Sequence, residues 1–179
     1  MMTDKTAIRN AATIILLRNR LENPSVLMGQ RGAKAAFMPN KFVFPGGAVD
    51  AADANITLAE QIPAPCNARL VEDCASDITA PLCVAAIREL WEETGLILGR
   101  KAPWPDTPPA PWCDFAAAGY VPSAENLQFV FRAITPPGRP RRFDARFFAI
   151  DASHLAGDID DFSTASDELS HLQWVPLDK

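Results

Sequence analysis

The chain has 179 residues, the length of one ordinary domain, with 48% hydrophobic and 22% charged residues, close to the globular average. That composition excludes wholesale disorder, and no apolar stretch approaches the ~18 residues needed to span a bilayer. A formal net charge of −5 argues against a nucleic-acid duplex as partner and leaves an anionic small molecule to be met locally, by arginines or a bound cation.

The opening residues, MMTDKTAIRN, carry an acid and lack an apolar run ending in small residues, so no secretory signal is expected. Four cysteines (Cys66, Cys74, Cys83, Cys113) are then expected as reduced thiols, and their spacing holds no C-x-x-C. A cytoplasmic location is the matching expectation.

Residues 11–17 (AATIILL) and 25–29 (SVLMG) predict the two strands of a hairpin. Residues 41–44 predict a third strand, stopped by Pro45-Gly46-Gly47, where the backbone is free for unusual dihedrals. From 54 to 80 the periodicity is weak and polar turns recur, which reads as an insertion with a short helix near 68–73. The clearest helix is 82–94. Thr79 is placed to cap it, Pro81 suits its first turn, and Gly95 sits where a left-handed residue closes a helix. Cys83, Val84, Ile87, Leu90 and Trp91 share one face of it, and Glu89, Glu92 and Glu93 the opposite one.

A short strand is predicted at 96–98, and PWPDTPPAP at 103–111 is a stiff proline-rich loop. Residues 128–134 and 143–150 predict strands joined by the turn Pro136-Pro137-Gly138, with Arg139, Arg141, Arg142 and Arg146 clustered after it. An acidic turn at 158–161 and a last strand at 172–177 follow. Helices and strands intermix without repeats, so the class is α/β or α+β in a single domain over 1–179.

Glu89, Glu92 and Glu93 stand at i, i+3 and i+4, within one turn and close enough for a common cation. They lie at the helix end where the macrodipole disfavours acids, at up to ~1 kcal/mol with like-charge repulsion added. Arg88 precedes Glu92 by four residues and can pair with it, but one arginine does not neutralise three acids. An oxygen-seeking divalent ion, Mg²⁺ or Mn²⁺, would. A solvated acidic face is the plain alternative.

The surrounding segment decides between them. Arg88-Glu89-Leu90-Trp91-Glu92-Glu93-Thr94-Gly95-Leu96 fits R-E-φ-x-E-E-x-G-φ at every fixed position, a match expected by chance on the order of 10⁻⁷ per starting point. It resembles the signature of the Nudix hydrolases, whose full box is G-x5-E-x7-R-E-φ-x-E-E-x-G-φ. Phe44-Pro45-Gly46-Gly47 looks like the entry to that box, and six residues after Gly47 stands Asp53, a shorter acid than the family's glutamate. Between Asp53 and Arg88 lie 34 residues where the family has seven, so an insertion splits the box.

The resemblance implies an α/β/α sandwich with a mixed central sheet and the hydrolysis of a nucleoside diphosphate linked to another moiety. It implies Glu89, Glu92 and Glu93 as ligands of Mg²⁺ or Mn²⁺, one doubling as general base, with the Gly46 carbonyl as a further ligand. Arg88 would orient the carboxylates and be tied to Asp53, while Gly47 and Gly95 are structural. Glu168, six residues before Trp174, matches a late acid that adds a metal ligand or base in some members; the plain alternative is a solvated loop residue.

Arg31 is a candidate for substrate phosphates, and the four arginines after Gly138 (Arg139, Arg141, Arg142 and Arg146), with Arg142 and Arg146 foremost, either bind such phosphates or solvate a hairpin. Trp104, Trp112, Phe115 and Tyr120 either stack on a base or form satellite core. His171 either touches substrate or is a surface histidine, and His154 has no identifiable partner. The stretch from Phe42 to Asp53, the split box, and Ile134-Thr135-Pro136 with 142–148 (RFDARFF) look like a branch that includes peroxisomal coenzyme A diphosphatases, which makes CoA or acyl-CoA the leading substrate. Residues 27–44 do not reproduce the longer motif of the other CoA-cleaving group, and no S-K-L tail is present; nucleotide sugars, dinucleotides and ADP-ribose stay open.

A Nudix-fold binding module without catalysis is the rival, and such modules usually lose metal-binding glutamates; all three are present here. The family's second helix, after the strand at Trp174-Val175-Pro176-Leu177, has no counterpart before Lys179. An exposed apolar sheet face favours association, so a homodimer is expected.

Overall fold

The computed structural model describes residues 7–33, 39–74, 77–139 and 141–177. The first six residues, two residues of the insertion and part of the 27–44 stretch compared with the second CoA-cleaving group lie outside it.

Strands β1 (Ile8–Arg18) and β2 (Ser25–Arg31) form the expected hairpin, paired at Leu17↔Val26 and Arg18↔Ser25. β1 has a second partner: β8 (Arg142–Asp151) runs parallel to it from Ile8↔Arg142 to Leu17↔Asp151. β8 also pairs antiparallel with β7 (Gln128–Ile134). β3 (Phe42–Val43) and β9 (Leu169–Pro176) both pair with β2, giving a mixed seven-stranded sheet. The seventh member, β4 (Gly46–Ala48), was expected as a stop signal and instead pairs antiparallel with β1. At Gly46, with φ +155°, a Cβ would stand 2.4 Å from the Ala12 carbonyl oxygen, so glycine is required inside a strand and composition hid it.

Alternation splits the sheet into two faces. Ala12, Ile14 and Leu16 of β1, with Phe148 and Ile150 of β8, point to one side and are buried. The long helix covers that side.

Four expectations shift. The helix expected near 68–73 is α1 (Ala64–Leu70), which starts earlier because Pro63 at the cap and Pro65 in the first turn suit a helix start. The long helix α2 spans Thr79–Thr94; Thr79 lies inside it with a buried hydroxyl that has no hydrogen-bond partner among the described residues, and Ile78 occupies the cap position. Residues 96–98 are not a strand but one bridge at Ile97 to Ala156, with β5 (Gly99–Lys101) following; Leu96 and Leu98 alternate with Ile97 in burial without a strand partner. The proline loop ends in a short 3-10 turn, Ala110–Trp112, that leads into α3 (Cys113–Ala117).

α2 is buried on more than the predicted face. Ala85 and Ala86 are sealed as completely as Ile87 and Leu90. α2 packs on β1, β4 and the 3-10 turn at 51–55, and beside Trp91 lies an aromatic layer: Phe115 packs edge-on against Trp91 and Trp112, and Trp104 lies beside Trp112. β6 (Tyr120–Pro122), paired with β5, closes this layer. The insertion joins the core through Leu58, Ile62, Cys66 and Leu70. Trp104, Trp112, Phe115 and Tyr120 are thus core residues. The chain leaves β9 at Pro176, and among the described residues no helix follows it.

Candidate active site

The centre of the site is one buried guanidinium. Arg88 Nε and Nη2 donate to the two oxygens of Asp53 at 2.9 and 3.0 Å, Nη2 also to the Ala48 carbonyl at 3.0 Å, and Nη1 to Glu89 and Glu92 at 2.9 and 3.1 Å. Asp53 sits in a 3-10 turn, Ala51–Asn55, just after β4, and its carboxylate also accepts the Asp50 N–H at 2.8 Å. The 34-residue separation therefore folds out and returns, restoring the pairing expected of an unbroken box.

The glutamates differ. Glu93 is 2% exposed and accepts the Gly46 N–H at 2.8 Å. The Glu89 side chain is 12% exposed, and that of Glu92 38%. Gly47 is packed against Glu89: a Cβ there would stand 2.4 Å from the carboxylate. Gly95, in the left-handed conformation at φ +75°, ends α2, and a Cβ on it would meet the Thr164 hydroxyl at 2.2 Å. Ser166 donates its N–H to the Glu92 carbonyl at 2.9 Å, which ties the loop before β9 to the end of α2. Through this loop Glu168 comes near enough to add its charge to Glu89, Glu92 and Glu93.

Charge is in excess there. Burial pushes the Glu89 carboxyl up to about 7, although Arg88 pulls the other way. Burial likewise pushes Glu93 up to about 8 against the Gly46 N–H, and raises Glu92. For Arg88, burial disfavours the charge, but the hydrogen bonds it donates to Asp53 and the charges of Glu89, Asp53 and Glu92 outweigh it and hold the guanidinium protonated. The chemistry of this donor set, hard carboxylate oxygens short of positive charge, fits a divalent cation. As they stand, the carboxylates are turned to Arg88 and Gly46, and among the described residues no three His, Cys, Asp or Glu side chains converge on a single ion position.

A groove of about 880 Å³ opens beside this centre on the other face of the sheet. Gly46, Gly47, Arg31 and Glu168 line it, and so do Thr13, Met28, Phe42, Phe143 and Phe147. Arg31 lies close enough to Glu93 to favour its charged form. Arg142 and Arg146 do not line the groove. β8 alternation puts them on the opposite face, where Arg142 donates to the Thr135 carbonyl at 3.1 Å and Arg146, 2% exposed, is held by Asp144 and Asn10. The arginines of the groove besides Arg31 are Arg9, which sequence inspection passed over, and Arg141, which it weighed as one of the four after Gly138. Strand parity was the signal, and it decides only once the covered face is known.

His171 is exposed, at φ +51° and with Nδ1 3.1 Å from the Ser170 hydroxyl, and is not among the groove residues. The four cysteines are free thiols. Among the described residues no helix is long and apolar enough to cross a membrane.

No family model matches the chain. A NUDIX hydrolase from Alicyclobacillus acidocaldarius of known structure is 30% identical, with a TM-score of 0.69, over 98% of this chain and 81% of that one. The Caenorhabditis elegans protein "Putative nudix hydrolase 7" is 31% identical over 93% of this chain. The chain spans about half, 51%, of the length of that relative. The NUDIX domain of Shewanella oneidensis NrtR, solved with ADP ribose, shares the fold at 14% identity and a TM-score of 0.50, over 96% of this chain and 75% of that one. The chain belongs to the Nudix hydrolase family, a class of hydrolases that act on phosphorus-containing acid anhydrides.

Proposed function

We propose that the chain hydrolyses a diphosphate linkage in a nucleoside diphosphate derivative, with Mg²⁺ or Mn²⁺ held by Glu89, Glu92 and Glu93 and supplemented by the Gly46 carbonyl and Glu168. The observation that carries this reading is the set of buried carboxylates that Arg88 alone leaves uncompensated. When bound, such an ion screens the diphosphate charge and acidifies the attacking water.

The protein's own groups supply the rest. Arg88, fixed by Asp53, fixes the rotamers of Glu89 and Glu92 in turn. Glu89, held up to about 7, and Glu93, up to about 8, take a proton readily near neutral pH, and one of them serves as general base. Arg31 offers a guanidinium to the phosphates at the mouth of the groove.

Coenzyme A or an acyl-CoA is the substrate this reading favours. The groove supports it: Met28, Phe42, Val43, Ile134, Phe143 and Phe147 give apolar walls to a space that also holds cations, which suits a ligand with both apolar and phosphorylated parts. ADP-ribose, nucleotide sugars and dinucleotides are the alternatives. A Mg²⁺-dependent hydrolysis screen over CoA, ADP-ribose, NADH, nucleotide sugars and dinucleoside polyphosphates tests it, with Glu92→Gln as control. The expected result is hydrolysis by the natural protein and loss of at least ~10²-fold in the variant, the scale for a metal ligand or acid/base group. Equal rates would assign the activity to a contaminant.

A further inference from the structure

The arginines of this chain sort by partner. Arg18, Arg20, Arg88, Arg100, Arg132 and Arg146 each form an ion pair with an acid. Arg9 and Arg141 are exposed, and among the described residues their guanidinium groups form no ion pair or side-chain hydrogen bond; both line the groove. They also come to one end of it. Arg9 pairs with Phe143 across the β1–β8 ladder, two residues beyond Arg141.

The reacting end is elsewhere. Thr13 of β1 faces Gly46, whose N–H holds Glu93. From Thr13 to Arg9 is four residues along an extended strand, ~13 Å at a rise of ~3.3 Å per residue. Between the two ends the walls are small or aromatic: Ala11, Ala145, Phe147 and Phe143. In a chain of net charge −5, two unpaired cations beyond this apolar stretch, in a groove whose other charged residues are Arg31, Asp167 and Glu168, mark a place for a second anion.

We infer that Arg9 and Arg141 bind a phosphomonoester on the ribose of the substrate, so that the enzyme selects nucleoside diphosphate derivatives bearing this extra phosphate. The inference rests on the proposed hydrolase reading, and deepens it by naming a recognition site remote from the scissile bond. The nucleoside is common to every substrate of that reading, and a phosphate on its ribose is joined to the diphosphate through a short, stiff unit. The long arginine side chains close part of the distance between the two ends. Two charged hydrogen-bonding groups on one phosphate favour the phosphorylated over the unphosphorylated ligand by ~10-fold or more.

CoA and 3′-dephospho-CoA differ by this group alone. With the natural protein, KM for CoA should be at least ~10-fold below that for 3′-dephospho-CoA at similar kcat. Arg9→Gln and Arg141→Gln should each raise KM for CoA and leave both constants for the dephosphorylated substrate unchanged. Calorimetric binding of adenosine 3′,5′-bisphosphate against AMP separates this inference from the hydrolase reading. Tighter binding of the bisphosphate, erased in both variants, sustains the site even if no substrate is hydrolysed, in which case only the hydrolase reading fails. Equal affinity for the two nucleotides, or variants that weaken both alike, overturns the inference.

Discussion

Arg88 and Asp53 meet edge to edge, with Nε on Oδ1 at 2.9 Å and Nη2 on Oδ2 at 3.0 Å, and the Asp53 side chain is 2% exposed. Each is the other's neutraliser in a place with little water. Arg88→Met would leave a buried carboxylate unpaired and should lower folding stability by ~3–5 kcal/mol, read from urea unfolding. The double variant Arg88→Met, Asp53→Leu should recover much of that stability but none of the activity, because Glu89 and Glu92 lose the donor that holds them. Equal destabilisation in both variants would show that the pair is not the source of the loss.

Gly47→Ala should leave the protein folded and disable it. The new methyl would stand 2.4 Å from the Glu89 carboxylate, the mobile end of a side chain, so Glu89 turns away. The expected outcome is a Tm within a few degrees of the natural protein with activity down by ~10-fold or more, the scale for a disturbed ligand environment. An unchanged rate would mean that the present placement of Glu89 does not matter.

The metal-free protein should become less stable as pH rises from about 5 to 9. Glu89 and Glu93 are raised in the folded state, from 4.5 to about 7 and about 8, so the fold binds more protons than the unfolded chain across this window. Their contribution is fully present below 4.5 and is lost as pH rises through 7 and 8. The lowered carboxyls of Asp144, Asp151 and Asp161 act the other way, but below their ordinary value of 3.8 and so outside the window. Thermal melts in EDTA should show Tm falling, Mg²⁺ should restore it mainly above pH 7, and Glu89→Gln, Glu93→Gln should flatten the profile. A flat profile in the natural protein would contradict the burial of these charges.

Much of this centre was legible in residue order alone. Arg88, Glu89, Glu92 and Glu93 have a fixed spacing on one helix, and helix geometry carries spacing into space without help from the rest of the chain. Asp53 was placed by counting from Gly47, and it meets Arg88 because the insertion returns to its starting point. Other features needed the assembled fold. Ala85 and Ala86 are buried outside the predicted face, and the elements α2 packs against, β1, β4 and the 3-10 turn at 51–55, are distant in sequence. Arg141 and Arg142 are neighbours of one chemical type, and only the sheet face each takes separates a groove cation from a hairpin brace. β4 escaped because Gly46 and Gly47 are poor strand formers, held as a strand by pairing to β1.

Binding of Mn²⁺, followed by electron paramagnetic resonance in the natural protein and in Glu93→Gln, tests most directly whether these carboxylates exist to hold a divalent ion. Saturable binding that competes with Mg²⁺, weakened ~10-fold or more in the variant, is the predicted result. Mn²⁺ bound with the same affinity by both proteins, or by neither, would contradict it.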